Sequence, residues 1–509
     1  MKILSFYLGS HDSNAVLFDG ESGNLHYTKA ERRTGIKRFR ADFGFLDSLC
    51  AERQFDPQIV CFTDGDRNFL GSASLTEPVM ALRQAPVALF KRAQWYYVDH
   101  HLAHILSTWP ICRSQQVDIG IAIDGRGDDN RRLTVYRSPA SLQPPVFTSR
   151  EHRFGHLFDL LGQKMGLRGH MADHAGKIMG LQSYGNADPA FVTATLEDSF
   201  ETDVFKLVRD AEADRGIGFF DVDSQAFRDW LAGVHSACQT ALLRLFARYA
   251  RAEETIIFSG GCALNSVFNA SLQRSFPGLR IPPHADDGGL SLGALEAVRL
   301  ALDLPEMSLR TFPFIQSDED MGVATPPTIE RAADLLAAGK VLGWCQGHGE
   351  AGARALGHRS LLMDPSLPDG KNRINAVKRR EPWRPFAPSL LPAVKSDYLL
   401  DGYDMSYMLH ASGVTERGAR DLAACVHVDG SARAQIVDVS RQPLLTPFAE
   451  LIKAFERRTG IGALMNTSYN AGGKPIVGCR DEALGFFAAS AIDALVLGDE
   501  ILEKSGSRN

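Results

Sequence analysis

The segment His100-His101-Leu102-Ala103-His104 sets two imidazoles four residues apart. On a helix that spacing puts both rings on one face, where they can share a metal ion. Asp124 and Asp286, each in an Asp- and Gly-rich turn, are the carboxylates chosen to complete the set. Such a donor set suits Fe2+, Mn2+ or Zn2+ better than Mg2+ alone. The same His spacing recurs at His152/His156 and His170/His174, where capping or surface pairs are the plainer reading. The first pair stands out because it lies between two acidic turns. Asp124 and Asp286 also read simply as turn residues. Lys177 sits between glycines in Gly176-Lys177-Ile178-Met179-Gly180, as expected of a point charge approaching phosphate, or of a solvated turn. The second half is denser in cations: Arg354 and Arg359 flank Ala355-Leu356-Gly357-His358, Lys378 to Arg384 follow, and Arg433 comes later. Converging guanidinium forks imply a doubly anionic ligand, whereas scattered ones are charged helix faces. Asn466-Thr467-Ser468-Tyr469-Asn470 offers amides and hydroxyls in a turn before Gly472-Gly473. No G-x-x-x-x-G-K-[ST] sequence occurs, which excludes an ordinary P-loop.

The elements that must carry these residues form a repeated plan. Ile3–Leu8 breaks at Gly9-Ser10-His11-Asp12, resumes at Ala15–Phe18, turns at 19–24 and returns through Leu25–Thr28. Ile119–Ile123 runs into Asp124-Gly125-Arg126-Gly127-Asp128 and returns through Leu133–Tyr136. Two strand, acidic-glycine turn, strand units predict a duplicated α/β domain of the actin/Hsp70 type, although two unrelated hairpins would read similarly. Thr255–Phe258 predicts a strand entering Ser259-Gly260-Gly261, with a helix over Ala263–Leu272. Glycines at such a junction let helix N–H groups approach an anion. A loop at 282–289 precedes a helix over Leu290–Leu302. Residues 303–327 carry four prolines and little periodicity, so the expected division is a first domain at 1–310, a linker at 311–327 and a second α/β domain at 328–509. In the second domain Thr328 is expected to cap a helix through Leu336, with a strand at Val341–Cys345.

The totals set the limits. At 509 residues more than one core is expected. A composition of 44% hydrophobic and 23% charged residues is that of a globular protein. The net charge of −6 argues against a nucleic-acid-coating surface. Eight scattered cysteines without C-x-x-C give no support for a zinc cage or a disulfide framework. The N-terminus lacks the features of a signal peptide, and no apolar run is long enough to span a bilayer. A soluble cytoplasmic protein is expected.

Taken in order, these motifs identify a resemblance. Gly9-Ser10-His11-Asp12-Ser13, Glu31-Arg32, the His100–His104 segment and Asp124-Gly125-Arg126-Gly127 carry it, with Gly176–Leu181, Ser259–Asn265 and Asp286–Gly289. Arg354–Ser360, Arg384-Pro385-Phe386-Ala387-Pro388, His427-Val428-Asp429-Gly430 and Asn466–Asn470 continue it through the second half. The chain resembles the O-carbamoyltransferases of nodulation-factor and antibiotic biosynthesis over nearly its whole length. That resemblance implies a Kae1-like domain of actin/Hsp70 type, with a metal expected to be iron, followed by a YrdC-like domain. The YrdC-like domain would make carbamoyl adenylate from carbamoyl phosphate and ATP, with Mg2+ accompanying ATP. The Kae1-like domain would pass the carbamoyl group to a hydroxyl of a small molecule, expected to be a secondary metabolite. By matching motif, His100, His104, Asp124 and Asp286 become metal ligands. Gly127, Lys177, Gly260, Gly261 and Asn265 would hold nucleotide. Arg354, Arg359, Lys378, Arg384, His427, Arg433, Asn466, Ser468 and Asn470 would hold carbamoyl phosphate and ATP. His11 would contact or deprotonate the acceptor, and Lys177 and Arg354 join it as catalytic candidates.

The chain departs from the family pattern in three respects. Glu350-Ala351-Gly352-Ala353-Arg354 has alanines where an aromatic residue and a proline usually stand, Ala175 replaces an acidic residue before Gly176-Lys177, and the chain is compact. Rival readings are threonylcarbamoyl transfer to tRNA, against which the negative charge argues, and an ATP-binding actin/Hsp70-like module without transferase activity. A homodimer is the default expectation.

Overall fold

A computed structural model describes residues 1–64, 77–170, 173–197, 203–316 and 319–504. The chain forms two units, one of residues 1–9, 16–23 and 42–306, the other of residues 10–15, 24–41 and 307–509. Residues 10–15 and 24–41, expected in the first domain from their place in the chain, thus group with the second unit. So does most of the segment read as a linker. Phe314, Ile315 and Gln316 in it are buried, and Gln316 bridges Gly349.

The early strands are β1 (Lys2–Tyr7), β2 (Asn14–Asp19), β3 (Asn24–Lys29), β4 (Ile59–Thr63), β5 (Val79–Ala81) and β6 (Gln94–Val98). They are followed by β7 (Ile119–Ile123), β8 (Leu133–Arg137), β9 (Phe147–Ser149), β10 (Ile256–Ser259) and β11 (Leu279–Arg280). One sheet of the first unit contains the order β2-β1-β4-β6 and the other β8-β7-β10-β11. Strands β1, β4 and β6 run parallel, as do β7, β10 and β11. The same order occurs twice, so the two hairpins read from the sequence are copies of one plan. The apolar run that predicts β7 is buried along its whole length, and so is β4, as suits central strands covered on both faces. Phe6, Phe62 and Trp95 pack ring against ring across β1, β4 and β6.

The second unit contains β12 (Leu342–Cys345), β13 (Arg359–Met363), β14 (Ala387–Leu390), β15 (Ser412–Gly413) and β16 (Ser431–Ala432). It continues with β17 (Gln435–Ile436), β18 (Ala463–Ser468), β19 (Ala494–Leu497) and β20 (Glu500–Glu503). Its seven-stranded mixed sheet has the order β17-β14-β18-β13-β12-β19-β20. The amphipathic helices Pro326–Ala337 and Thr446–Thr459 pack on each other and share a core with Trp344, Leu362 and Val496. Thr325 occupies the N-cap of the first of these helices, not Thr328, because Pro326 and Pro327 take the opening positions that need no N–H partner. Thr328 lies inside the helix, and its hydroxyl donates to Asp499. Among the described residues no helix is long and apolar enough to cross a membrane.

Candidate functional site

In the first unit the histidines ride on the buried helix His100–Leu106. Asp99 caps its start by accepting from the Leu102 N–H at 2.9 Å, and Asp128 accepts from the His100 N–H at 2.8 Å. Tyr97 donates its hydroxyl to Asp128, and Arg131 and Tyr136 hold Asp99. Buried carboxylates at a helix N-terminus satisfy its unpaired N–H groups and favour its dipole. On the flanks, Gly120 and Gly293 have no room for a Cβ. One at Gly293 would lie 1.7 Å from the Ala103 carbonyl oxygen, and one at Gly120 would lie 2.4 Å from Ile105. The helix is therefore clamped between β7 and the helix Leu290–Ala301.

This clamp presents both Nε2 atoms to two carboxylates. Asp124 Oδ2 lies 3.5 Å from His100 and 3.7 Å from His104, and Asp287 Oδ1 lies 3.7 and 3.3 Å from the same atoms. Donor atoms of these four residues all lie within 4.8 Å of one another. The opposite oxygens are anchored: Asp124 Oδ1 accepts from the Gly261 N–H at 2.9 Å, and Asp287 Oδ2 accepts from the Tyr7 hydroxyl at 2.7 Å. Gly260, at φ +90°, makes the turn that aims Gly261, and a Cβ there would meet the Ile123 carbonyl at 2.3 Å. Burial opposes charge on His100, His104 and Asp124. Against that, the facing imidazoles hold Asp124 well below the usual carboxylate range, and the carboxylates hold His100 well above the imidazole range.

A divalent cation fits this donor set. The imidazole nitrogens of His100 and His104 are buried without hydrogen-bond partners, and the carboxylates facing them need a positive charge. The fourth member is Asp287 and not Asp286. Asp286 turns its carboxylate back to accept from the Gly288 N–H at 3.1 Å, capping the short helical turn that follows. In a run of two aspartates, spacing cannot tell which one faces inward.

Other residues of the first unit are tied up structurally. Asn265 caps the helix Ser266–Ser275 by accepting from Val267 and Phe268, and its amide meets His235 Nε2 at 3.0 Å. A Cβ on Gly127 would lie 2.6 Å from His101 Nε2, so its glycine character is explained by ring packing. Lys177 donates to the Arg168 carbonyl. His152 bonds Ser149, and His174 packs against Gly162.

In the second unit Arg354, Arg380, Arg384 and Arg433 converge. Burial and then the charges of Arg354, Arg380 and Arg384 push Arg433 well below the guanidinium range. Burial, Arg384 and Arg354 likewise depress Arg380 against the opposing charge of Glu381, which pairs with Arg384 at 3.6 Å. Arg433 Nε is buried without a hydrogen-bond partner. Lys378 joins them. Its ammonium donates to Ser468 Oγ at 3.1 Å and to Asn470 Oδ1 at 2.7 Å, and burial with Arg380, Arg384 and Lys37 lowers its pKa strongly. Arg380 was not among the residues picked out from the sequence. It is fixed by Asn375 at 2.9 Å and lies 4.1 Å over the Phe386 ring.

Arg359 does not join this cluster. It is 1% exposed and donates to the carbonyls of Gln346, Gly347 and His358, with a longer bond to Glu319, because β13 carries it into the interior. Asn466 is likewise structural, its amide held by Ala355, Ser389 and Gln435. His427 is buried, and its N–H donates to the Ser431 carbonyl at 2.7 Å. His11 belongs to the second unit by its fold grouping. Its Nδ1 lies 2.8 Å from Asp12, which also pairs with Lys29 at 2.6 Å and Arg38 at 3.3 Å.

Family models described as carbamoyltransferase N-terminus and C-terminus match residues 62–296 and 333–504. The nodulation protein NolO of Bradyrhizobium diazoefficiens is 30% identical over 80% of this chain and 79% of its own. NolNO of Sinorhizobium fredii is 32% identical over 80% of this chain, which spans only 64% of that longer protein. The 3'-hydroxymethylcephem-O-carbamoyltransferase of Amycolatopsis lactamdurans is 28% identical over 75% of this chain and 74% of its own. Among solved structures, full-length HypF superposes with a TM-score of 0.32 at 15% identity, covering 60% of this chain and 47% of its own. The chain belongs to the carbamoyltransferase family.

Proposed function

We propose that this protein is an ATP-dependent O-carbamoyltransferase that makes carbamoyl adenylate in its C-terminal unit and carbamoylates a hydroxyl of a small natural product. The observation that carries the reading is the crowd of mutually repelling cations, Lys378, Arg354, Arg380, Arg384 and Arg433, in the C-terminal half of a carbamoyltransferase. Burying like charges together is costly unless a polyanion binds among them, and carbamoyl phosphate with ATP supplies one.

The atoms balance as follows. Water releases inorganic phosphate from carbamoyl phosphate, a carbamate oxygen attacks the α-phosphorus of ATP, and pyrophosphate leaves. The acceptor hydroxyl then attacks the carbamoyl carbon, and AMP departs with the bonding pair. Arginine forks stabilise charge gathering on the phosphate oxygens. His11, with its Nδ1 proton donated to Asp12, keeps Nε2 as the atom that takes the hydroxyl proton.

His100, His104, Asp124 and Asp287 would hold Fe2+, or Mn2+ or Zn2+, in the N-terminal unit. When bound, such an ion supplies Lewis-acid stabilisation of phosphate charge. Gly261 and Tyr7 fix the two carboxylates so that they reach inward. Names of relatives support a hydroxyl acceptor such as the 3'-hydroxymethyl group of a cephem. A cytoplasmic location and Mg2+ with ATP belong to the same reading. The test is mass spectrometry of a panel of hydroxylated metabolites incubated with the protein, carbamoyl phosphate and Mg-ATP. Gain of one carbamoyl group that needs both co-substrates is expected. Gain without ATP, or none across the panel with active protein, contradicts it.

A further inference from the structure

The loop that carries Arg354 runs Glu350-Ala351-Gly352-Ala353, with small residues at its centre. Its shape must come from elsewhere. Glu350 Oε1 accepts from the N–H groups of Leu356, His358 and Arg359 at 2.8, 2.9 and 3.1 Å, which fixes the far end of the turn. At the near end, Gly349 bridges Gln316, and the Ala351 N–H donates to the Pro313 carbonyl at 2.9 Å.

The middle of the loop is held by a residue 320 positions earlier in the chain. Arg32 is 3% exposed, and its Nη2 donates to the Gly352 carbonyl at 3.1 Å. Arg32 lies on the short helix Ala30–Thr34, within the 24–41 strap that groups with the second unit. The strap is seated closely. A Cβ on Gly478 would lie 1.9 Å from the Arg32 carbonyl oxygen, and one on Gly35 would lie 2.2 Å from Glu482 Oε1. The Lys29 N–H donates to Gln316 Oε1 at 2.9 Å, so the strap and the loop share Gln316 as a support. At the strap's far end, the charge of Lys37 is, after burial and the charges of Arg380 and Arg384, among the causes that lower Lys378.

We propose that the 24–41 strap is a working part of the arginine-lined anion site, with Arg32 positioning the Gly352 turn that presents Arg354. Arg32 is a positioning residue because it acts through Gly352. The strap also carries Lys29 and Arg38, which hold Asp12 against His11, so one short segment supports both the anion site and the His11–Asp12 pair. The inference rests on the adenylation reading for the identity of the anion.

The test uses the full-length protein and two readouts. Inorganic pyrophosphate is titrated calorimetrically into wild type, Arg32→Met and Arg32→Lys. The same variants are assayed for KM of carbamoyl phosphate and of ATP in ATP–pyrophosphate exchange. Arg32→Met is expected to weaken pyrophosphate binding about tenfold, the scale of one charge-assisted hydrogen bond. It should also raise KM for carbamoyl phosphate more than KM for ATP, with partial recovery in Arg32→Lys. Unchanged pyrophosphate affinity in Arg32→Met overturns the proposal. Should Arg32→Met fail to fold, Arg32→Lys decides by the same criterion. A wild type that binds pyrophosphate but shows no exchange defeats the adenylation reading and leaves the calorimetric comparison to judge the strap.

Discussion

The two charged clusters solve opposite problems. In the N-terminal unit two imidazoles face two carboxylates, a donor set that a small cation completes, and hydrogen bonds from Tyr7 and Gly261 set the geometry. In the C-terminal unit Arg354, Arg380, Arg384, Arg433 and Lys378 repel one another, and the fold holds them together in spite of it. The first cluster is built to fix the position of a small cation, the second to be completed by an anion. Stability and ligand binding should therefore respond in opposite ways to changes in the two places.

The largest effect separates two arginines of one motif. Arg359→Met removes a buried guanidinium from several carbonyls and should cost about 3–5 kcal/mol of stability. Arg354→Met relieves repulsion on Arg433 and Arg380 and should cost none, with denaturant unfolding as the measurement. Equal losses would mean that the second cluster is already neutralised.

Next is the metal. Asp287→Asn should weaken Fe2+ or Mn2+ binding by at least about 100-fold, whereas Asp286→Asn, at a capping position, should change it little. Equilibrium dialysis decides between them, and the reverse order would restore Asp286 as the ligand. A smaller effect concerns the anion site. Pyrophosphate at about 100 times its Kd should stabilise the C-terminal unit by about 2.7 kcal/mol, and Arg433→Met should abolish that gain.

The smallest effect is acid sensitivity away from both clusters. Burial pushes His235 down to about 3 and His410 down to about 4, so both rings stay neutral when folded while the unfolded chain protonates below about 6.5. Their contribution is intact above pH 6.5 and is lost progressively as pH falls toward those values. Each should remove about 1 kcal/mol between pH 6.5 and 5.5. His235→Phe and His410→Phe should flatten that slope, and an unchanged slope would assign it to other groups.

Much of this was legible in the sequence. The strand–turn–strand repeat could be read because β-alternation and acidic-glycine turns are local signals, and the His100/His104 pair because helical spacing is local too. Asp287 was missed by one residue because only tertiary packing decides which of two adjacent aspartates faces inward. Arg359 looked equivalent to Arg354 because a sequence does not show which guanidinium a strand buries. Glu31-Arg32 stood out as a motif, but its partner did not: Arg32 and Gly352 meet only through folding, and neither carries a local pattern that announces the other. Asp128 and Tyr7, which orient the histidine helix and Asp287, gave no motif signal of their own.

The most direct test of the division of labour is ATP–pyrophosphate exchange with and without carbamoyl phosphate in wild type, Arg354→Ala and Asp287→Asn. Exchange that needs carbamoyl phosphate, disappears in Arg354→Ala and survives in Asp287→Asn is the predicted result. Exchange that ignores carbamoyl phosphate, or that fails in Asp287→Asn while persisting in Arg354→Ala, would contradict it.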